Sequence, residues 1–154
     1  MPLAWPELLL AGSVMGAAPL AAQQGKELGV QAVVTASDPA VAVAGIYGGL
    51  RTSSRTRLSV AAGVGTSSGE AAFRGELLGH FLLSPNKKDG PGFYFAGGVA
   101  AVEGPVDQGY LVFAAGLEDR PGAASGWGVE LGVGGGVRVL LAYRWRWLRP
   151  AGAP

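Results

Sequence analysis

The feature that most limits how this chain can fold is a two-residue alternation, which is clearest in residues 137–147. From Val139 to Trp147 every second residue is apolar or aromatic, whereas the other set, which starts at Arg138, holds three arginines together with one leucine and one alanine. A period of two is the signature of a β-strand with two different faces. A water-soluble sandwich would bury the apolar face, and a membrane barrel would bury the arginines instead.

Turn-forming residues divide the rest of the chain into segments of similar length. Clusters rich in Gly, Pro, Ser, Asn and Asp recur seven times after residue 36, and such residues supply turn geometry. Most of the segments between them hold the roughly 9–11 residues that a tilted membrane strand needs. We predict strands at 27–36, 40–50, 56–65, 70–83, 92–102, 109–118, 127–134 and 137–148.

The residues on the second face of these strands decide between the two architectures. Glycine and alanine dominate that face, interrupted by single Arg, Glu, His or Tyr residues, and the chain has 27 glycines but only 15% charged residues. A water-facing strand usually carries polar residues at most outward positions. Small residues with a few large charged ones suit the interior of a narrow closed barrel. We predict an all-β fold, an eight-stranded antiparallel up-and-down (meander) transmembrane β-barrel. The facing of the second strand stays open, because Val41, Val43 and Tyr47 compete with Ile46 and Leu50.

Two sets of residues are the candidate functional positions. Charged side chains on the inner face should fill the lumen as a paired network, since an unpaired buried charge is costly. Within it, Glu130 is expected opposite Ala142 and within reach of Arg144. Aromatic residues on the outer face should form an interfacial belt at one end of the barrel. The network is Arg74, Glu76, Glu118, Glu130, Arg138, Arg144 and Arg146, and the belt is Phe81, Phe93, Phe95, Trp127, Tyr143, Trp145 and Trp147.

The N-terminus has the pattern of an export signal. Residues 8–22 are apolar and end in small residues, and a polar stretch follows, as in the hydrophobic region and cleavage site of a signal peptide. The basic region that usually precedes it is missing. We predict a cleaved signal peptide at 1–22, with cleavage after Ala22, and a single β-barrel domain at 23–154.

Composition argues against several other functions. The chain has no cysteine and one histidine, so we expect no disulfides, metal site or cofactor. A net charge of +1 argues against nucleic-acid binding driven by phosphate neutralisation. We also expect no catalysis. The turn at 66–69 should place Ser59 opposite Glu76, which leaves His80 about 13 Å farther along at roughly 3.4 Å per residue, too far for a nucleophile–base hydrogen bond.

On this pattern the chain resembles the small eight-stranded outer-membrane β-barrels of the OmpA transmembrane-domain and OmpX type. The last strand carries the likeness best, because Tyr143, Trp145 and Trp147 match the alternating aromatics that the assembly machinery reads in that family. The resemblance implies a bacterial outer-membrane location, outer-membrane lipid and the assembly machinery as partners, and a monomeric barrel. Two features depart from it: the tail at 148–154, and longer connections on the side that the family leaves with tight periplasmic turns.

Three other functions remain as alternatives to a barrel with a structural or interaction role. The first is a secreted, soluble, lipocalin-like barrel that binds a small apolar ligand, which would need an apolar cavity and a polar exterior. The second is a narrow pore through the lumen, although eight strands leave little free space. The third is a lipid-modifying barrel that would use Ser59, Glu76 and His80.

Overall fold

The computed structural model describes residues 25–149 and contains eight β-strands of 9 to 13 residues. They are β1 (Gly25–Ala36), β2 (Val41–Arg51), β3 (Thr56–Ser67), β4 (Glu70–Leu82), β5 (Pro91–Glu103), β6 (Gln108–Asp119), β7 (Ser125–Val133) and β8 (Val137–Leu148). The predicted number of strands and the all-β class are confirmed. The predicted signal peptide at 1–22 lies outside the described residues.

The strands close into one antiparallel barrel in sequence order. Closure is made by β1 and β8, which pair from Gly25 opposite Leu148 to Ala36 opposite Val137. The terminal rim is the end where β1 begins and β8 ends, and it carries the connections 52–55, 83–90 and 120–124. The opposite rim carries the connections 37–40, 68–69, 104–107 and 134–136, none of which exceeds four residues. The predicted meander topology is therefore confirmed, with the longer connections on the rim that holds the chain ends.

The outer face of the barrel is apolar between the two rims. Its large side chains are Leu, Val, Ile, Phe and Trp with exposed fractions mostly between 40% and 67%. Among the described strand residues, charged side chains that reach solvent lie only at strand ends: Lys26, Glu70, Glu103 and Asp119. No helix within residues 25–149 has the length and apolar character needed to cross a membrane.

The second strand follows the same rule as the others, which resolves its ambiguous facing. Val41, Val43 and Tyr47 point into the lumen, and Ile46 and Leu50 point outward. The inward set continues past the predicted end of the strand to Arg51, because β2 extends one residue farther than predicted.

Two hairpins differ in register from the sequence prediction. Ser68 and Gly69, with φ angles of 52° and 79°, form a two-residue turn of the kind that matches strand twist. It places Ser59 opposite Leu78, not Glu76. In the last hairpin Glu130 lies opposite Leu140, not Ala142. Both errors are shifts of two residues, which preserve the face of every side chain but change its neighbours.

Candidate functional site: the charged lumen

Among residues 25–149, ten charged side chains face the lumen, all almost fully buried. They are not evenly matched, since six are arginines and four are glutamates. Every member of the predicted network faces inward, and three further charged residues join it. The set comprises Arg51, Arg57, Arg74, Arg138, Arg144, Arg146, Glu27, Glu76, Glu118 and Glu130.

The larger of two clusters lies toward the terminal rim, around Glu118. One oxygen of this carboxylate, Oε2, accepts hydrogen bonds from Arg57 at 3.0 Å, Arg144 at 3.2 Å and Arg146 at 3.2 Å. Glu27 is the second carboxylate of the cluster, bonded to Arg57 at 3.2 Å and to Arg51 at 2.9 Å. Arg57 therefore bridges the two acids, and four guanidinium groups surround two carboxylates.

The second cluster lies toward the opposite rim and is balanced in charge. Glu76 accepts hydrogen bonds from Arg74 at 2.7 Å and from Arg138 at 3.1 Å. Arg138 also donates to Glu130 at 2.6 Å, and the Tyr94 hydroxyl donates to Glu130 at 2.8 Å. Arg138 is thus the link between both acids of this cluster.

The predicted pairing of Arg144 with Glu130 is wrong. Glu130 bonds Arg138 and Tyr94, whereas Arg144 bonds Glu118. The two-residue shift in the last hairpin is the physical reason, because it moves Glu130 toward the opposite rim relative to β8. Arg144 instead stacks on the ring of Tyr47, with its guanidinium carbon 4.7 Å from the ring centroid.

Part of the excess of arginine in the terminal cluster is met by neutral acceptors, whereas the buried Nε atoms of Arg57, Arg144 and Arg146 have no hydrogen-bond partner among the described residues. Arg51 donates to the carbonyl of Pro85 at 3.0 Å and to that of Pro121 at 2.7 Å. Arg146 likewise reaches the carbonyls of Arg120 and Ala123. These four carbonyls belong to the connections 83–90 and 120–124, so the guanidinium groups hold the two longest connections against the lumen. Tyrosine faces add cation–π contacts.

Ser59 and His80 are hydrogen-bonded, which corrects the predicted separation of about 13 Å. The distance from Ser59 Oγ to His80 Nε2 is 2.8 Å, because the shifted hairpin sets His80 opposite Arg57, one diagonal step from Ser59. Arg57 approaches His80 Nδ1 at 3.3 Å.

The proton arrangement of this pair is the reverse of a nucleophile and its base. A guanidinium has no acceptor, so Nδ1 accepts from Arg57 and the proton of neutral His80 lies on Nε2. Nε2 then donates to Ser59, whose hydroxyl can donate to the Leu78 carbonyl at 3.4 Å. A general base would need a free Nε2 and a carboxylate at Nδ1. Glu76, the proposed third member, bonds Arg74 and Arg138 instead.

The seven predicted belt residues all lie toward the terminal rim on the outer face. Six are between 44% and 60% exposed, and Tyr143 is half-buried between Trp127 and Trp145. Their positions follow from the pairing of Phe81 with Phe95 and of Trp127 with Tyr143. Toward the opposite rim the outer face of the described residues has few aromatics: Phe73 lies near the start of β4, and Phe113 lies in the middle of β6.

Little free space is present beside the charged clusters. A cavity next to Arg74 and Glu76 has a volume of about 10 Å³, at the lower limit for a single water molecule. Within the described part of the chain, no group of three or more histidine and acidic residues is arranged to hold a metal ion.

Several lumen residues were missed by the sequence prediction although the alternation could have found them. Glu27 and Arg51 lie near strand ends, where turn-forming neighbours interrupt the alternation that indicates which face a side chain takes. Arg57 falls on the inner face by the alternation of β3, although the predicted network does not include it. Two large aromatic side chains in the lumen are Tyr47 and Tyr94, and a Cβ at Gly116 would overlap the Tyr94 ring. Glycine on the inner face thus makes room for tyrosine.

Comparison with known proteins identifies the fold. No family model matches the sequence, and no curated protein sequence matches it. Among solved structures, the barrel is similar to the N-terminal β-barrel domain of Pseudomonas aeruginosa OprF, with a TM-score of 0.65 and 14% sequence identity. The match covers 81% of this chain and 98% of that domain. The chain therefore has the fold of a small, OmpA-like, eight-stranded β-barrel.

Proposed function

We propose that the protein is an integral β-barrel of a bacterial outer membrane, with a sealed lumen and a structural or interaction role without catalysis. The observation that carries this proposal is the inverted distribution of residues, with charges inside and an apolar outer face that carries charge only at its strand ends. The same proposal includes export of the chain with a cleaved signal peptide and recognition of β8 by the outer-membrane assembly machinery.

Free energies support a lipid environment for the outer face. Arginine or lysine facing lipid at the middle of a membrane barrel costs about 2–4 kcal/mol, so a lipid-facing surface excludes charge. In water the same continuous apolar surface would drive association. A closed barrel also satisfies every strand hydrogen bond without water, which a membrane requires.

A secreted, lipocalin-like protein is disfavoured by the same distribution. Such a barrel needs an apolar cavity and a polar exterior. The lumen of this barrel contains guanidinium and carboxylate groups, and the outer face formed by residues 25–149 has no polar band between the rims.

Sealing of the lumen favours a structural role over a pore. Arg57, Arg138 and Arg144 are at most 1% exposed, and each forms an ion pair with an acid on another strand. Planar-bilayer recordings test this directly, and we expect no steady conductance from the folded protein. A continuous open level at neutral pH would contradict the sealed lumen.

The test of membrane insertion compares two arginine substitutions at exposed valines. Val30→Arg places a charge in the middle of β1, where Val30 is 49% exposed, whereas Val106→Arg lies in a connection at 43% exposure. We expect the native protein and Val106→Arg to need detergent for extraction and to show heat-modifiable gel migration. Val30→Arg should lower folded stability by about 2–4 kcal/mol. Release of the native protein in plain buffer as a monomer would overturn the proposal.

A further inference from the structure

A groove in the outer face begins at the terminal rim and lies across the four neighbouring strands β1 to β4. One row across these strands consists of Leu28, Gly48, Val60 and Leu77, which lie opposite one another in register. Gly48 is the position in this row without a side chain. The resulting outer groove has a volume of about 470 Å³ and is flanked by Leu50 and Leu58.

The end of the outer groove at the terminal rim is cationic. Lys26 and Trp147 lie opposite each other in β1 and β8 and line the groove. Both also line an adjoining recess of about 370 Å³, to which Arg149 contributes. The side chains of Lys26 and Arg149 are exposed. The ring of Trp147 is 60% exposed beside Lys26, on the neighbouring strand β8, and tryptophan favours the headgroup level of a bilayer.

The two rims of the described barrel carry opposite charge. At the opposite rim the exposed charged residues are acidic: Asp38, Glu70, Glu103 and Asp107. At the terminal rim basic residues outnumber acidic ones, with Lys26, Arg55, Lys87, Lys88, Arg120 and Arg149 against Asp89 and Asp119. A membrane leaflet rich in anionic headgroups is therefore attracted to the terminal rim.

We propose that the outer groove binds one anionic glycerophospholipid, with its phosphate between Lys26 and Arg149 and one acyl chain along Gly48. This inference rests on the proposed membrane location. The acyl chains of a membrane lipid are in hydrocarbon whether or not the lipid is bound, so binding in the groove is favoured by close packing. The two cations favour a lipid with a negatively charged headgroup. A zwitterionic lipid fits the apolar part equally well but gains less from the cations.

The probes are dioleoyl phosphatidylglycerol and dioleoyl phosphatidylcholine, which share acyl chains and differ in net charge. The folded protein in detergent is titrated with each lipid, and native mass spectrometry gives the dissociation constant of the first bound lipid. We expect phosphatidylglycerol to bind more tightly than phosphatidylcholine. Equal binding of the two lipids would overturn the inference.

Charge variants locate the headgroup. The double variant Lys26→Gln, Arg149→Gln removes two cations, and we expect phosphatidylglycerol to bind about 25-fold more weakly, at about fivefold for each charge. The matched control, Arg55→Gln with Lys88→Gln, removes two cations from other connections of the same rim and should change binding less than twofold. An equal loss in both pairs would show diffuse attraction to the rim and would overturn the site.

Glycine variants locate the acyl chain. Gly48→Leu fills the groove without strain, since a Cβ there meets only the Val60 side chain, at 3.9 Å. Gly75→Leu is the control, because Gly75 also faces outward and a Cβ there meets nothing within 4 Å. We expect Gly48→Leu to weaken phosphatidylglycerol binding and Gly75→Leu to preserve it. Unchanged binding in Gly48→Leu would contradict the groove.

Failure of this inference is distinguishable from failure of the proposed function. Heat-modifiable migration and insertion into phosphatidylcholine vesicles report the membrane barrel and require no anionic lipid. A protein that inserts but binds both lipids equally keeps the proposed function and loses the lipid site. A protein that remains soluble and does not insert loses both.

Discussion

Neutralising Glu118 should be the most damaging single change of charge in the lumen. This carboxylate is 1% exposed and accepts hydrogen bonds from three guanidinium groups at 3.0–3.2 Å. Glu118→Gln keeps the shape of the side chain but removes its charge. The carbonyl oxygen of the new amide still accepts hydrogen bonds, but its NH2 group can only donate, and arginine cannot accept.

The expected cost follows from burial. Each guanidinium attracts the carboxylate strongly at this distance when water is excluded, and the cluster already has more arginines than acids. Removing one partner of a buried ion pair costs roughly 3–5 kcal/mol, and we expect Glu118→Gln to lie in that range. At a denaturant dependence of about 2 kcal/mol per molar urea, the midpoint of unfolding falls by about 2 M.

The assay is urea unfolding in phospholipid vesicles, followed by heat-modifiable gel migration. Asp119→Asn is the matched control, because Asp119 is the next residue along the chain but lies at the surface, 2.8 Å from the exposed Arg120. The hydrogen bond and charge of Asp119 raise the pKa of Arg120, yet solvent screens such a pair. We expect the control midpoint to match the native one. If Glu118→Gln lowered the free energy of unfolding by less than about 1 kcal/mol, the loss would be well below the cost expected for a buried charge. That result would show that the lumen is hydrated and would refute the buried-network reasoning.

Three further outcomes are expected. Arg146→Met should lower the free energy of unfolding by less than about 2 kcal/mol in the same assay, well under the usual cost of breaking a buried pair. The reason is that it reduces the excess of positive charge in the terminal cluster. Gly116→Ala should cost about 1–3 kcal/mol, because the added methyl group overlaps the Tyr94 ring and overpacking is destabilising. Arg51→Ala should make the connection 83–90 sensitive to trypsin in the folded barrel, since it loses the Pro85 hydrogen bond; unchanged proteolysis would contradict this role.

The face of each side chain could be predicted from sequence because it depends only on parity, that is, on whether the residue is at an odd or an even position along its strand. Alternation specifies inside and outside within a strand without reference to any neighbour. Arg144 and Trp145 are adjacent in sequence, yet one is 1% and the other 44% exposed, as the alternation predicts. The eight strands followed from the spacing of turn residues for the same local reason.

Contacts within the lumen could not be predicted, because they depend on register. A shift of two residues preserves parity, so the sequence pattern does not detect it. It moves a partner by about 7 Å along the strand, enough to exchange Arg144 for Arg138 as the partner of Glu130. The turn at Ser68 and Gly69 lacks the Asn-Gly or Asp-Gly signal that would have located it, and the contact between Ser59 and His80 was missed as a result.

The excess of arginine explains why the longer connections lie on the terminal rim. Four guanidinium groups around Glu27 and Glu118 have more donors than two carboxylates can accept, and a buried unpaired donor is costly. A tight turn would leave these donors facing an open end. The connections 83–90 and 120–124 are long enough to fold back and present the carbonyls of Pro85 and Pro121 to Arg51. Lumen charge and connection length are therefore coupled: shortening either connection should destabilise the barrel unless Arg51 is neutralised as well.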